Sequence, residues 1–216
     1  MHTPRIAIIG CGTVAQRYYA PALRAFPDIK NQVLLVDRDS RSAEELRKLI
    51  GAGEVHTDHR DVLEKADGAV ILVPHDLHHP VSMDFLNSGV PVLCEKPLAL
   101  DPMDALEMIH TAEEAGTSLC MNNTRRMFPS FKAVKEMIAK RELGRLRKIV
   151  YREGSAFGWP SSTGFYVNPW LSSRGILLDL GSHAIDTVCW WAGGKPVLTQ
   201  YLDDSRGGPE SVVRLV

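Results

Sequence analysis

Residues 5–15 read Arg-Ile-Ala-Ile-Ile-Gly-Cys-Gly-Thr-Val-Ala, and this stretch decides the fold of the first half of the chain. An apolar run predicts a buried strand, and a glycine-rich turn follows it directly, ahead of a predicted helix. Gly10 permits a tight turn, Gly12 lets a phosphate approach the backbone, and Ala15 allows close helix–strand packing. The N-terminus of the helix then points at the phosphates of a dinucleotide. The predicted phosphate-binding residues are Gly10, Gly12, Thr13, Val14 and Ala15.

An acidic residue follows the second predicted strand, at residues 32–36. This residue, Asp37, lies about 20 positions beyond Ala15, which is the spacing that dinucleotide-binding folds use. A carboxylate at this position hydrogen-bonds a ribose 2′-hydroxyl and repels a 2′-phosphate. The sequence therefore favours NAD, while Arg38 beside the acid leaves NADP possible.

The pattern of the chain changes near residue 122. Before it, short apolar runs alternate with stretches that carry apolar residues at helical spacing, which predicts an α/β fold with a doubly wound parallel sheet of the Rossmann type. We expect a Rossmann domain at residues 1–122 and a second domain at residues 123–216. Predicted strands lie at 5–9, 32–36, 68–73, 90–95, 117–121, 146–153, 197–202 and 211–216. Predicted helices lie at 43–50, 81–87, 104–115 and 129–140, with a further helical stretch that ends at Trp191.

The composition is that of an ordinary globular protein. A net charge of -1 over 216 residues lacks the excess basicity that non-specific nucleic-acid binding needs. The apolar runs are too short to span a bilayer, and no apolar leader precedes the first strand. The four cysteines form no CxxC pair, which suits a reducing compartment without disulfides or structural zinc. We therefore expect a soluble cytoplasmic protein with no nucleic-acid or membrane partner.

Residues 74–79 read Pro-His-Asp-Leu-His-His and follow the third predicted strand. His75 and His79 are four positions apart, so on one helix face they could bind a metal ion. The segment also lies at the carboxyl end of a strand, where doubly wound folds bind their ligands. Its histidines could border the nicotinamide end of the cofactor, cap the next helix or lie on a solvated surface. We predict no metal site; the residues assigned to the cofactor cleft are Pro74, His75 and His78.

The segment Glu95-Lys96-Pro97 closes the fourth predicted strand. A partly desolvated Lys96 could donate a proton or stabilise charge on a substrate oxygen, although position alone is equally consistent with a surface lysine in a turn. The surrounding pattern is more specific. Pro74 and His78, followed by residues 89–99 (Gly-x-x-Val-Leu-Cys-Glu-Lys-Pro-Leu-Ala), resemble the Gfo/Idh/MocA family of oxidoreductases.

Three later motifs resemble the same family, so that the resemblance covers essentially the whole chain. They are Arg126-x-x-Pro129, Gly144-Arg-Leu146, and residues 175–186 (Gly-Ile-Leu-Leu-Asp-Leu-Gly-Ser-His-Ala-Ile-Asp). The resemblance implies hydride transfer between NAD(P) and a carbinol or carbonyl group of a sugar, cyclitol or sugar derivative. It also implies a catalytic group made of Lys96, Asp179 and His183. The predicted cofactor-binding set further includes Asp37, Arg38, Glu95 and Lys96.

Asp179 and His183 are four positions apart, so on one helix face the carboxylate could orient the imidazole. From spacing alone, Asp179 could instead cap a helix that begins at Leu180, and His183 could be a buried structural histidine. Aromatic residues between 157 and 170 could pack on a sugar ring, and the two arginines before residue 127 could meet an anionic group. The predicted substrate-binding residues are Lys96, Arg125, Arg126, Trp159, Tyr166, Asp179 and His183.

The sequence departs from the family pattern in two places. Residues 172–175 read Ser-Ser-Arg-Gly where the family has several glycines. The resemblance also implies a longer α+β C-terminal domain with an open, mostly antiparallel sheet that supports dimers, whereas this chain ends at Val216 in a predicted strand. Because an unpaired sheet edge invites pairing, we expect a homo-oligomer, a partner chain that completes the sheet, or a truncated form of a longer protein. A non-catalytic dinucleotide-binding sensor, or an inactive truncated relative, is the alternative function.

Overall fold

The computed structural model describes residues 3–154, 156, 175–205 and 209–216. The chain folds into two compact units, Met1–Asn122 and Asn123–Val216. In the described part of the chain, every helix is either too short or too polar to span a bilayer.

The first unit contains one six-stranded sheet in the order β3-β2-β1-β4-β5-β6, and all neighbouring strands run parallel. Its strands are β1 (Ile6–Ile9), β2 (Val33–Val36), β3 (Glu54–His56), β4 (Gly68–Ile71), β5 (Val92–Cys94) and β6 (Leu119–Met121). The strand order reverses between β1 and β4, and such a switch point leaves a crevice at the carboxyl ends of the strands. The predicted Rossmann sheet is therefore confirmed.

Helices connect the strands of this sheet. They are α1 (Ala20–Arg24), α2 (Pro27–Lys30), α3 (Ser40–Ile50), α4 (His78–Asn87) and α5 (Pro102–Glu114), and a π-helical turn, Ala15–Tyr19, leads into α1. Short 3₁₀ turns lie at His59–Val62 and His75–Leu77. The side chain of Asp39 caps α3 by accepting from the Arg41 amide, and Asp101 caps α5 by accepting from the Met103 amide. These caps explain why both helices begin where they do.

Two apolar clusters bury the two faces of the sheet. Ala7 and Ile9 of β1 belong to one cluster, together with Phe85 of α4 and Met108 of α5. Ile8 points to the other cluster, which includes residues of α3. The alternation along β1 shows that both faces are covered, as a parallel sheet requires. Burial of an aromatic side chain such as Phe85 contributes about 1.5–3 kcal/mol.

The second unit combines helices with a small antiparallel sheet. Its elements are a 3₁₀ turn (Thr124–Met127), α6 (Pro129–Ala139), a π-helical turn (Leu177–Gly181), α7 (Ser182–Ala192), β7 (Tyr201–Asp203) and β8 (Val213–Leu215). Strands β7 and β8 pair antiparallel, as expected. The strand predicted at residues 146–153 is not formed, because within the described ranges no neighbouring strand pairs with it.

Candidate functional site

The glycine-rich loop joins β1 to the π-helical turn. Gly10 has a φ of +96°, and a Cβ on it would lie 2.7 Å from the backbone oxygen of Leu72, so the fold itself requires glycine. Gly12 differs, because a Cβ built on it would meet no atom within 4 Å. Gly12 directly precedes the first helical residues, and this open space fits the approach of a pyrophosphate.

Asp37 is tied to this loop by its carboxylate. One oxygen accepts the Cys11 amide at 2.9 Å, and the other accepts the Asp39 amide at 2.9 Å. Each carboxylate oxygen has a second acceptor site, which remains suited to a ribose hydroxyl. Arg38 is exposed beside it. The loop, the helix start and the acid therefore fit the adenosine diphosphate half of a dinucleotide.

Cys11, between the two glycines, is a packing residue. Its side chain is fully buried, and its thiol donates to the Val36 carbonyl at 3.6 Å. Burial, reinforced by the Asp37 carboxylate, raises the pKa of the Cys11 thiol to about 12. The thiol is therefore neutral near pH 7 and is not a nucleophile.

Glu95 is held in a hydrogen-bond network at the carboxyl end of β5. Its Oε1 accepts from the Tyr19 hydroxyl at 3.0 Å and from the Asn122 amide at 2.8 Å, and that amide also lies 2.9 Å from the Tyr19 hydroxyl oxygen. Its Oε2 accepts the Lys96 backbone amide at 3.2 Å. Burial and the Glu95 carboxylate raise the pKa of Tyr19 well above its usual value, so the phenol remains a donor.

Sequence reasoning missed two members of this network. Asn122 follows directly after β6, and its position at the carboxyl end of a strand was a usable signal. Tyr19 carries no comparable signal, because nothing in the local pattern of its helix marks it as a partner of Glu95.

The three histidines of residues 74–79 have different surroundings. His78 is fully buried, and its Nδ1 lies 2.6 Å from the Pro97 carbonyl oxygen while its Nε2 lies 3.0 Å from the Val73 carbonyl oxygen. The ring of His75 packs edge-on against that of His78, with centroids 5.5 Å apart. Of these two rings, only that of His78 is fully enclosed. His78 therefore supports the cleft wall and presents no atom to a ligand. His75 and the neighbouring Pro74 lie at the carboxyl end of β4.

His79 joins α4 to α5 by pairing with Glu107 at 2.9 Å. In the described part of the chain, the group of potential metal ligands that converges within 4.8 Å is His79, Asp104 and Glu107. His75, the partner that a metal site on one helix face would need, is not in that group. A polar contact between two helices accounts for His79.

Lys96 follows β5 directly and is half-buried at the carboxyl edge of the sheet. The phosphate loop after β1, Asp37 after β2 and Glu95 with Lys96 after β5 thus share one edge, because all of these strands are parallel. This is the edge at which a doubly wound fold binds its ligand.

In the second unit, Asp179 and His183 lie in consecutive helical segments. Asp179 is in the π-helical turn and His183 is in the first turn of α7, and both are half-buried. Asp179 lies inside the helical segment Leu177–Gly181 and is therefore not the residue from which α7 starts. π-Helical turns are rare and occur frequently at functional sites.

Both candidate anion-binding arginines are paired with acids of their own unit. Arg126 donates to both carboxylate oxygens of Asp186, at 2.8 and 2.5 Å. Arg125 donates to the Tyr151 hydroxyl at 2.5 Å and to Glu153. An anionic substrate group would have to compete with these carboxylates. The other two predicted substrate residues, Trp159 and Tyr166, lie outside the described residues.

Comparison with known proteins gives matches over both units. Residues 4–123 match a family model described as "Oxidoreductase family, NAD-binding Rossmann fold" (GFO_IDH_MocA), and residues 131–204 match the "GFO/IDH/MocA C-terminal domain". Trans-1,2-dihydrobenzene-1,2-diol dehydrogenase from Oryctolagus cuniculus is 30% identical over 191 residues, which cover 87% of this chain and 56% of that protein. D-glucoside 3-dehydrogenase from Escherichia coli is 29% identical, with 88% of this chain and 54% of that protein covered.

Solved structures are also similar to this chain over nearly its whole length. A putative myo-inositol dehydrogenase from Sinorhizobium meliloti superimposes with a TM-score of 0.79 at 25% identity, over 98% of this chain and 64% of that one. GenD2 from gentamicin A biosynthesis, solved in complex with NAD, gives a TM-score of 0.76 at 26% identity, over 100% of this chain and 63% of that one. The chain thus spans between half and two thirds of the length of these proteins.

Proposed function

We propose that this chain, which belongs to the Gfo/Idh/MocA family of NAD-binding oxidoreductases, transfers a hydride between NAD(P) and an organic substrate. The proposed reacting group is a carbinol or carbonyl of a sugar, cyclitol or sugar derivative. The observation that carries the proposal is the shared sheet edge. The glycine-rich loop, Asp37 and the Glu95-Lys96 pair lie at the carboxyl ends of β1, β2 and β5. This supports a cofactor site in which the loop and Asp37 bind the nucleotide and Lys96 handles the proton.

Different residues of the first unit bind different parts of the cofactor. The amides after Gly12 meet the pyrophosphate, and Asp37 meets the adenosine ribose. The Asp37 carboxylate favours NAD over NADP because it repels a 2′-phosphate, although the exposed Arg38 gives NADP a possible counter-charge. Pro74, His75 and Glu95 border the nicotinamide end. When bound, the cofactor supplies the hydride acceptor or donor.

The proton chemistry falls to Lys96, Asp179 and His183. During oxidation the substrate hydroxyl gives its proton to His183 or Lys96 as its carbon loses hydride; reduction reverses both transfers. Histidine has an ordinary pKa of about 6.5, which suits proton exchange near neutrality. When His183 accepts the proton, the Lys96 ammonium stabilises developing negative charge on the substrate oxygen and Asp179 stabilises the protonated imidazole. When Lys96 accepts the proton, it does so as a neutral amine. Arg125, Arg126, Trp159 and Tyr166 complete the proposed substrate contacts.

We further propose that the second unit pairs with another chain, either in a homo-oligomer or with a partner chain that completes its sheet. Strands β7 and β8 form a sheet of two strands in the described part of that unit. A two-stranded sheet is marginal by itself and leaves both edges open to pairing.

The test of the function is a polyol and sugar screen that follows cofactor reduction by absorbance, with NAD affinity measured separately by calorimetry. Lys96→Ala should lower kcat about 10²- to 10⁴-fold, the range associated with loss of a general acid–base group. NAD affinity should stay within about threefold, because the phosphate loop and Asp37 are unchanged. Lys48→Ala, in the exposed last turn of α3, is the matched control and should leave both quantities unchanged.

Full turnover by Lys96→Ala would reject the catalytic assignment. Tight NAD binding without turnover of any polyol by the unmodified chain would favour the non-catalytic sensor.

A further inference from the structure

The fully buried ring of His78 is a polar side chain that the proposed chemistry does not use. We propose that His78 is a positioning residue for Lys96, which it holds in place by donating a hydrogen bond from its ring to the Pro97 carbonyl next to the lysine. The inference rests on the proposed role of Lys96, and it gives His78 a role different from the cofactor contact that the sequence predicted.

The ring of His78 lies where the strand ladder ends. Strands β4 and β5 pair up to Ile71 and Cys94, and the Glu95 amide then donates to the Ile71 carbonyl at 3.0 Å. Two residues later, Pro97 has no amide hydrogen with which to continue a ladder. The imidazole reaches across this point, because its two nitrogens lie 2.6 Å from the Pro97 oxygen and 3.0 Å from the Val73 oxygen.

The two contacts are not equivalent. Both partners are carbonyl oxygens, which only accept, and a neutral imidazole has one N–H to donate. Desolvation lowers the pKa of His78; the two carbonyls and Glu95 act against this, and Lys96 acts with it. The ring of His75 also packs on it. The ring of His78 is therefore neutral at pH 7, and the shorter contact assigns its proton to Nδ1, facing Pro97.

A shift of the Lys96 side chain by about 1 Å is enough to lower the reaction rate. Displacements of that size can cost on the order of 10²-fold in rate. The Pro97 carbonyl belongs to the residue next to Lys96, so loss of this hydrogen bond frees the backbone on the C-terminal side of the lysine. On the N-terminal side, the Glu95 network remains in place.

Three substitutions separate the two contacts. His78→Asn keeps an amide nitrogen near the position of Nδ1, His78→Gln keeps one near Nε2, and His78→Leu keeps neither. We expect His78→Gln and His78→Leu to lower kcat about 10- to 100-fold, and His78→Asn to lower it less than about fivefold. NAD affinity should remain within about threefold in all three.

A purely structural role predicts a different order. Asparagine is the smallest of the three side chains and leaves the largest cavity, so His78→Asn should be the least stable, while His78→Leu fills the space with apolar atoms. Unfolding in urea measures this order. If His78 positions Lys96, His78→Asn should be the least stable of the three variants and also the most active. If the three variants instead rank in the same order by stability and by kcat, the inference is overturned.

Hydrogen–deuterium exchange supplies a readout that needs no turnover. Amides of residues 95–99 should exchange faster in His78→Gln and His78→Leu than in His78→Asn. His79→Asn is the control, because the ring of His79 pairs with Glu107 at the surface. This variant should change neither exchange nor kcat. Unchanged exchange at 95–99 in all three variants would reject the positioning role. Full turnover by Lys96→Ala would reject the catalytic assignment instead, and the exchange result would still decide whether His78 holds the turn.

Discussion

Gly10 and Gly12 are two positions apart and have opposite surroundings. At Gly10 the positive φ and the nearby Leu72 backbone oxygen exclude any side chain. At Gly12 the protein itself leaves room for one. The first glycine therefore serves the fold, and the second leaves the space that we propose the pyrophosphate occupies.

Alanine at each position should separate these roles. Gly10→Ala should lower the free energy of unfolding by at least ~2 kcal/mol, because of backbone strain and overlap with a backbone oxygen that cannot rotate away. Gly12→Ala should change it by less than ~0.5 kcal/mol. Gly12→Ala should nevertheless weaken NAD binding at least ~10-fold, because the methyl group occupies the pyrophosphate space. Urea unfolding and calorimetric titration measure the two effects. Unimpaired NAD binding by Gly12→Ala would contradict this use of the loop.

At the scale of elements, the Arg126–Asp186 pair joins the Thr124–Met127 turn to α7. The guanidinium donates to both carboxylate oxygens and also lies 5.8 Å from the ring centroid of Trp190. Since α7 also carries His183, this pair fixes the helix on which the proposed proton acceptor lies. A bidentate pair constrains orientation more than a single hydrogen bond does.

Arg126→Met should lower the free energy of unfolding by about 1–2 kcal/mol, because it leaves a mostly buried carboxylate without its donors. Arg126→Lys should recover only part of the loss, because an ammonium cannot reproduce the two-pronged geometry. Intrinsic tryptophan fluorescence reports on α7 through Trp190 and Trp191, and Arg147→Met at an exposed position is the control. A raised KM with unchanged stability would instead identify Arg126 as an anion-binding residue.

At the scale of the whole molecule, the second unit exposes many apolar side chains around its sheet. Val197 is 82% exposed, Val212 is 64% exposed and Leu202 is 50% exposed. Large exposed apolar surface commonly marks an association site. The open sheet edges and these side chains lie in the same part of the chain.

Sedimentation velocity over a range of concentrations should show self-association of the chain, and Leu202→Glu should weaken it. Leu202 lies opposite Arg214 in the β7–β8 register, so glutamate there gains a cross-strand charge pair and should not disrupt the sheet. Leu49→Glu places the same charge on an exposed position of α3 and should leave association unchanged. A monomeric chain at all concentrations would contradict the homo-oligomer.

The parts of the fold that sequence predicted are those with local causes. The apolar runs gave five strands of the parallel sheet, and the glycine spacing gave the phosphate loop. Strand β3 was missed because it has three residues and only one is strongly apolar. The stretch at 146–153 contains the run Ile149-Val150-Tyr151, which is typical of a strand, but such a run does not provide a pairing partner.

The parts of the site that sequence missed depend on contacts between distant positions. Tyr19 and Asn122 are 103 positions apart and meet at Glu95. His78 was predicted to border the cofactor, and its motif gave no sign that the ring is enclosed by two carbonyls. The roles proposed for Lys96, Asp179 and His183 stay predictions, since they depend on family resemblance and on the experiments above.

The π-helical turn Ala15–Tyr19 gives this segment some tolerance in length. A π-helical turn accommodates one residue more than the α-helical turn it replaces. Deleting one residue there would let the turn close as an ordinary α-helical turn, so the helix after it would keep its direction and its contacts. Deleting one residue from a regular α-helix instead rotates everything beyond it by about 100° around the helix axis. A change of chain length between the glycine-rich loop and α1 is therefore less disruptive within the π-helical turn than in α1 itself.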